Sequence, residues 1–398
     1  MTTSHILNSI VHSLFRKPRK NENFIKYILY IVHIWLGLLT GVILSFMCLT
    51  GATYVFKAEV ENFSARHMLK RDAPSVVDAS PSLVMANYME VYEALPGSIE
   101  IPENKARNMR VIAAGRGGAT TFVDRETGEV LGELSPKVSN FFGTVMRLHR
   151  WFNMKRDTMH IGKAITGAVS LLFLFLLVSG IVLWWPKSKK KNPFKNKFNV
   201  RFKYKFNVWN RDLHINLGAI VALCLMLIVW TGLNFAYDWV RVLTVDTFNP
   251  DAVKKEAGAP QKRRQRGGNV NEEAILQLNW DKLLAETHSK LEYDGDLTIK
   301  LSGRGVSSPT VRKENKHNLL GAELFDDVVF SNQGQLVSVN PFVDKATHEK
   351  ISSLIYPIHT GSILGLKSKI LYFLLCLIAA YLPISGYIMW WKRLSLKR

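Results

Sequence analysis

Two histidines repeat each other's surroundings. His33 precedes Gly37 by four residues and the pair Thr50-Gly51 follows it by 17; His214, Gly218 and Thr231-Gly232 have the same spacing. Both sets lie in apolar stretches long enough to cross a bilayer, where an ionisable side chain is expensive to bury and normally has a partner and a task. A second pair, His149 in Met146-Arg147-Leu148-His149-Arg150-Trp151 and His359 in Tyr356-Pro357-Ile358-His359-Thr360-Gly361, precedes two further apolar runs. Neutral imidazole is a good axial ligand for iron, and two of them leave no open position, which favours outer-sphere electron transfer over oxygen chemistry. The chemistry expected is therefore that of two b-type haems, one held by His33 and His214 and the other by His149 and His359. Pairing through neighbouring rather than diagonal helices stays open. Without a Cys-x-x-Cys-His motif the haems would be bound non-covalently. Gly37 and Gly218, one turn from their histidines, would let a flat macrocycle approach the backbone; Gly37-x-x-x-Gly41 reads equally as a helix-packing motif. Arg147, Arg150 and Arg211 could pair with haem propionates. His160 is a spare ligand candidate or an interfacial residue, its repeat counterpart being Leu366. His5, His12, His67, His288, His317 and His348 are expected to be solvated. No catalytic acid, base or nucleophile is needed.

Four apolar runs must position these residues, at 27–56, 161–185, 213–237 and 367–391, each about 20 residues or more and so enough to cross the hydrocarbon core. The first follows a basic tail, 1–26, and is too long for a signal-peptide core. The loop 186–212 holds nine Lys or Arg and no acid between Lys187 and Lys205, and the tail 392–398 adds Lys392, Arg393, Lys397 and Arg398. By the positive-inside rule the loop and both termini are cytoplasmic. The second and fourth runs end alike, Ser179-Gly180 before Trp184-Trp185 and Ser385-Gly386 before Trp390-Trp391, which marks an internal duplication. His149 and His359 lie 30 and 26 residues before these serines, a match with a four-residue slip. At about 1.5 Å of rise per residue the two histidine levels are expected on the order of 25–30 Å apart, one near each membrane face.

A net charge of +20 over 398 residues, with 47% hydrophobic residues, suits apolar spans joined by basic segments, and no nucleic-acid motif accompanies it. Cys48, Cys224 and Cys376 all fall in apolar runs, where they act as small hydrophobes.

The long segments 57–158 and 240–355 also read as copies. Each has a helical pattern (Leu83 to Leu95; Glu272 to Thr287), an extended run ending in Gly-Arg-Gly (Met109 to Gly117; Leu297 to Gly305), and a hairpin pattern (Thr121 to Leu131 around Gly128; Val328 to Val339 around Gly334). Each is expected to be a small α+β domain, the second carrying a basic linker at Gln261–Gly268.

His-x-Trp-x-Gly at His33, Leu148-His149-Arg150-Trp151, Ser-Gly-x-x-x-Trp-Trp-Pro-Lys from Ser179 and Ile358-His359-Thr360-Gly361 together resemble the PepSY-associated transmembrane proteins over nearly the whole chain. The resemblance implies an internally duplicated membrane α-helical bundle of four transmembrane helices with two α+β PepSY-like periplasmic domains, in the bacterial inner membrane. It implies ties to iron acquisition, as in di-haem reductases of ferric siderophores, and lands on His33, His149, His214 and His359. Some family members carry fused flavodoxin-like or ferredoxin-reductase-like domains; this chain stops seven residues after Trp391, so its electron donor is expected to be a separate protein, a quinol or a small cytoplasmic reductant. The expected function is reduction of a periplasmic ferric siderophore. Rival readings are PepSY units that bind a periplasmic partner with the helices as anchors, a conduit to another periplasmic acceptor, and a transporter; the parallel duplication and histidines at the faces weigh against the last.

Overall fold

The structure is a computed structural model and describes residues 18, 22–115, 117–186, 194, 197–198, 200–249, 272–301, 308–316 and 324–395. The basic linker Gln261–Gly268, Gly303-Arg304-Gly305, His5, His12 and His317 lie outside these residues.

Helix α1 (Phe24–Val55) opens on Asn23, whose side chain accepts from the amides of Ile25 and Lys26 and so satisfies two of the unpaired donors of the first turn. It continues upward as two short helices, α2 (Lys57–Ser64) and α3 (Arg66–Leu69). Helix α4 (Pro81–Tyr92) is capped by Ser80 with Pro81 in the first turn. Strands β1 (Pro96–Ile101), β2 (Met109–Ala113), β3 (Thr120–Val123) and β4 (Val130–Glu133) follow, then α5 (Pro136–Trp151) and the second spanning helix α6 (Met159–Trp184). The second half repeats the plan. Helix α7 (Phe206–Asp212), a π-helical turn (Leu213–Leu217) and α8 (Gly218–Ala236) form one continuous span, followed by α9 (Asp238–Thr244). Then come α10 (Glu272–Leu276), α11 (Trp280–Lys290), β5 (Leu297–Lys300), β6 (Thr310–Asn315), β7 (Leu324–Phe330), β8 (Leu336–Asn340), α12 (Thr347–Thr360) and α13 (Gly365–Ser395). Four helices are long and apolar enough to cross a membrane, Phe24–Val55, Met159–Trp184, Phe206–Ala236 and Ser362–Arg393.

The eight strands form one antiparallel sheet in the order β4-β3-β2-β1-β5-β6-β7-β8. The two α+β units expected as separate domains are thus joined edge to edge through β1 and β5, with Ile99 opposite Ile299. One face carries the core: Val84, Met85 and Tyr88 of α4 and Trp280 and Leu283 of α11 pack on Ile99, Val111, Ile299, Val311 and Val328. Joining at β1 removes two exposed edges at the centre of the sheet.

Strand β1 is absent from the sequence reading because Pro-Gly at its start reads as a turn, yet proline is tolerated at the first position of a strand. The structural partners are β1 with β5 and β2 with β6, so the two Gly-Arg-Gly triplets are not equivalent: the first follows β2 and the second follows β5. The expected helix from Glu272 to Thr287 is two helices, because the Asn279 side chain accepts from the Lys282 amide and starts a new one. The hairpins turn at Gly128 (φ 72°) and Gly334 (φ 77°), the left-handed conformation that glycine adopts without strain.

In the bundle, Leu44, Met47, Val169, Phe173, Leu176, Val221, Ala222, Leu225, Leu375 and Ala379 meet in a core to which all four spans contribute. Leu39 and Leu223 are 75% and 70% exposed, as lipid-facing side chains are in the absence of a bilayer. Gly41 lets α1 approach α13 closely, a Cβ there falling 2.9 Å from Pro383, whereas a Cβ on Gly37 would meet nothing. Of the two, Gly41 serves packing.

Candidate functional site

His33 lies in α1 and His214 in the π-helical turn before α8. Their ring centroids are 6.4 Å apart with planes at 86°. His149 and His359 occupy the last turns of α5 and α12, and their centroids are 6.5 Å apart with planes at 50°. Each pair therefore joins one residue from each repeat. Two imidazole nitrogens bonded to one ion at about 2 Å, with each ring centre roughly 1 Å behind its nitrogen, give centroids about 6 Å apart. Both pairs stand at that separation.

Hydrogen bonds fix the rings. His149 Nδ1 lies 2.9 Å from the Met47 carbonyl and 3.1 Å from Thr50 Oγ1, both on α1. His359 Nδ1 lies 3.0 Å from the Ile228 carbonyl and 3.3 Å from Thr231 Oγ1, both on α8. His214 Nδ1 lies 2.9 Å from the Leu382 carbonyl and 2.6 Å from Ser385 Oγ. A carbonyl only accepts, so in these three rings Nδ1 carries the proton and donates, leaving the Nε2 lone pair for an ion. His33 Nδ1 lies 2.8 Å from Ser179 Oγ, whose own hydrogen is directed to the Leu176 carbonyl at 3.1 Å, so here too Nδ1 donates.

The Thr-Gly and Ser-Gly marks of the duplication thus act on the histidines. Each hydroxyl receives an imidazole N–H, and the ring lies against the glycine after it, most closely at Gly232 and Gly51. A Cβ on Gly51 would lie 3.3 Å from His149 Cε1 and one on Gly232 2.8 Å from His359 Cε1; on Gly180 and Gly386 it would lie 3.6 Å from His33 and His214. The sequence displayed these eight residues as landmarks but not their role.

The four-residue slip between His149 and His359 has a local cause. Residues 152–158 join α5 to α6, whereas only 361–364 separate α12 from α13, and His149 stands two residues before the end of its helix where His359 stands one. The two levels are tied to one helix: His33 belongs to α1, and His149 bonds Met47 and Thr50 of the same helix. That is 14 to 17 residues, ~21–26 Å of rise.

His33 and His214 open on a cavity of about 510 Å³, which Gly37 and Gly218 also line. A site of this size takes a ligand of cofactor dimensions. Arg211 lines it, joined by Lys26, Lys197 and Arg393, which in the sequence stand out only as parts of its basic flanking segments. Arg211 pairs with Asp212 at 3.3 Å, Lys26 and Lys197 donate to the carbonyls of Trp185 and Trp184, and Arg393 donates to the Tyr30 hydroxyl. At the other level Arg147 donates to Asn153 and Thr144, and Arg150 lies over the Trp151 ring. His160, in the first turn of α6, is exposed and joins neither pair. His67 and His288 are exposed too, though His288 Nδ1 lies 3.3 Å from Lys313 Nζ; His348 is half-buried.

Among the described residues no three His, Cys, Asp or Glu side chains come together as a metal site. A pair of imidazoles offers two axial positions only, which suits an ion that arrives with its equatorial ligands already in place, as iron does in haem. No curated protein matches the chain in sequence. The family model described as the PepSY-associated TM region matches residues 30–393. The chain belongs to the PepSY-associated transmembrane family.

Proposed function

We propose that this protein is an inner-membrane di-haem b oxidoreductase that passes electrons from a cytoplasmic reductant or quinol to a periplasmic ferric siderophore. The observation that carries this reading is the recurrence, at two levels of one bundle, of an imidazole pair at one-ion separation with Nδ1 donating into the protein. When bound, two haems would supply a one-electron relay between the membrane faces. His33 and His214 would hold one haem iron and His149 and His359 the other. Ser179, Ser385, Thr50 and Thr231 orient the imidazoles, and Arg211 and its cationic neighbours offer charge to propionates. The nine basic residues from Lys187 to Lys205 support a cytoplasmic side for the first level and, with it, a periplasmic side for the sheet. Reducing Fe(III) to Fe(II) weakens its hold by hard oxygen ligands, so the outer region needs only to bring the chelate near the second pair.

The test is a dithionite-reduced minus oxidised spectrum of the purified protein with haem quantified per chain. Two low-spin b haems are expected, with His33→Ala and His359→Ala each losing about one. A folded, colourless preparation would overturn the reading and favour a PepSY-type binding module anchored by four helices.

A further inference from the structure

The sheet face opposite the core is polar and turned toward the bundle: Arg110 donates to Asn62 of α2, and Phe122 packs on Ala65 and Leu69. Two cross-strand rows traverse the joint between the repeats on this face. One runs through Arg110, Glu100, Thr298, Arg312, Asp327 and Asn340, the next through Ser98, Lys300, Thr310, Val329 and Ser338. In the first row the carboxylates are matched. Glu100 pairs with Arg110 at 2.7 Å, and Asp327 pairs with Arg312 at 2.7 Å and with Lys345 at 3.7 Å. Lys300 has no carboxylate within ion-pair distance among the described residues; its row neighbours are Ser98 and Thr310, and the Thr310 hydroxyl donates to the Ser308 carbonyl at 3.1 Å. Four cations therefore share two carboxylates. Burial, Arg312 and Lys345 push the Lys300 ammonium down to about 8 against the pull of Asp327. An anion would relieve that arrangement.

The two halves differ at this place. Phe122 stands opposite Arg110 as Asp327 stands opposite Arg312, so an apolar contact with α3 in the first half is replaced by a charged one in the second. Lys345 also lies at the entrance to α12, which runs from Thr347 to His359, ~18 Å.

We propose that Lys300 and Ser98, with Arg312 beside them, form an oxyanion site, and that the ferric chelate taken there is anionic, presenting carboxylate or catecholate oxygens. The identification with iron rests on the reductase reading; the oxyanion site does not. Gallium(III) citrate, which is not reduced, separates the two. Titrated calorimetrically into the full chain in nanodiscs of zwitterionic lipid, it should bind saturably. Lys300→Gln should weaken binding at least ~10-fold, the loss expected when a charged hydrogen bond is removed, while Lys300→Arg should retain it. The melting temperature and haem spectrum of both variants report folding. Absence of binding, or equal binding by Lys300→Gln, would overturn the proposal. Suppression of binding by phosphatidylglycerol in the nanodisc would assign the site to a lipid headgroup and overturn the chelate. Gallium binding by a chain without haem would leave the site standing and sink the reductase reading.

Discussion

Ser179 and Ser385 hold equivalent places, but their histidines depend on them unequally. His214 donates to the Leu382 carbonyl as well as to Ser385, whereas Ser179 is the described partner of His33 Nδ1. Ser179→Ala should therefore lower haem affinity at the His33–His214 level about 10–100-fold, the usual effect of losing a ligand's supporting hydrogen bond. Ser385→Ala should have a smaller effect, and titrating haem into the apoprotein measures both. The glycines divide similarly. In Gly232→Ala the new Cβ falls 2.8 Å from His359 Cε1, too close to be accommodated without moving the ring, while in Gly180→Ala the contact is an ordinary 3.6 Å. Haem content should fall toward one per chain in Gly232→Ala and stay at two in Gly180→Ala. The four paired histidines were legible in sequence because duplication shows them twice. Their supports were not, because His33 and Ser179 are 146 residues apart and meet only once α1 packs on α6.

At the scale of elements, the spans were legible from hydropathy alone, since each must be apolar over the full membrane thickness. The sheet was less so: its strands are four to seven residues long, and β1 hides behind a turn-like Pro-Gly. The joining of β1 to β5 leaves no local trace, because either strand alternates equally well as an edge. One buried ion pair shows what holds the first half together. Arg125, 2% exposed, donates to Asp78 at 2.7 and 3.0 Å and to the carbonyls of Pro102 and Asn104. Burial alone would raise the Asp78 carboxyl, but the hydrogen bonds from Arg125 and Lys105 outweigh it and hold it below the ordinary value. A depressed carboxylate stabilises the fold above its unfolded value near 4 and loses that contribution as pH falls through the folded one. Asp78→Asn leaves Arg125 buried without its counter-charge. With Asp78 27% exposed, the cost lies at the low end for a broken buried pair, about 3 kcal/mol. Thermal melts should show the variant well below wild type near neutral pH, with the gap narrowing under about pH 4; a pH-independent gap would remove the ion pair as its cause.

For the whole molecule, duplication and pairing are one fact. His33 and His149 belong to the first repeat and His214 and His359 to the second, and each pair takes one member from each. Within a repeat the two histidines stand at different levels, ~21–26 Å apart along α1 in the first half, too far to share an ion. Neither half can therefore build a two-imidazole site by itself, and the shared sheet and bundle core bring the halves into the register that does. Sequence spacing could pair equivalent histidines but could not join the two halves in space, since that depends on helix packing and on the β1–β5 seam. Dividing the chain between the second and third spans leaves every span and both strands of the seam uncut. Each half purified alone as a monomer should be colourless, and the two co-expressed should recover both haems with the wild-type spectrum. Haem bound by a monomeric half would mean that its histidines find ligands within one repeat, and the cross-repeat pairs would then not be the functional unit.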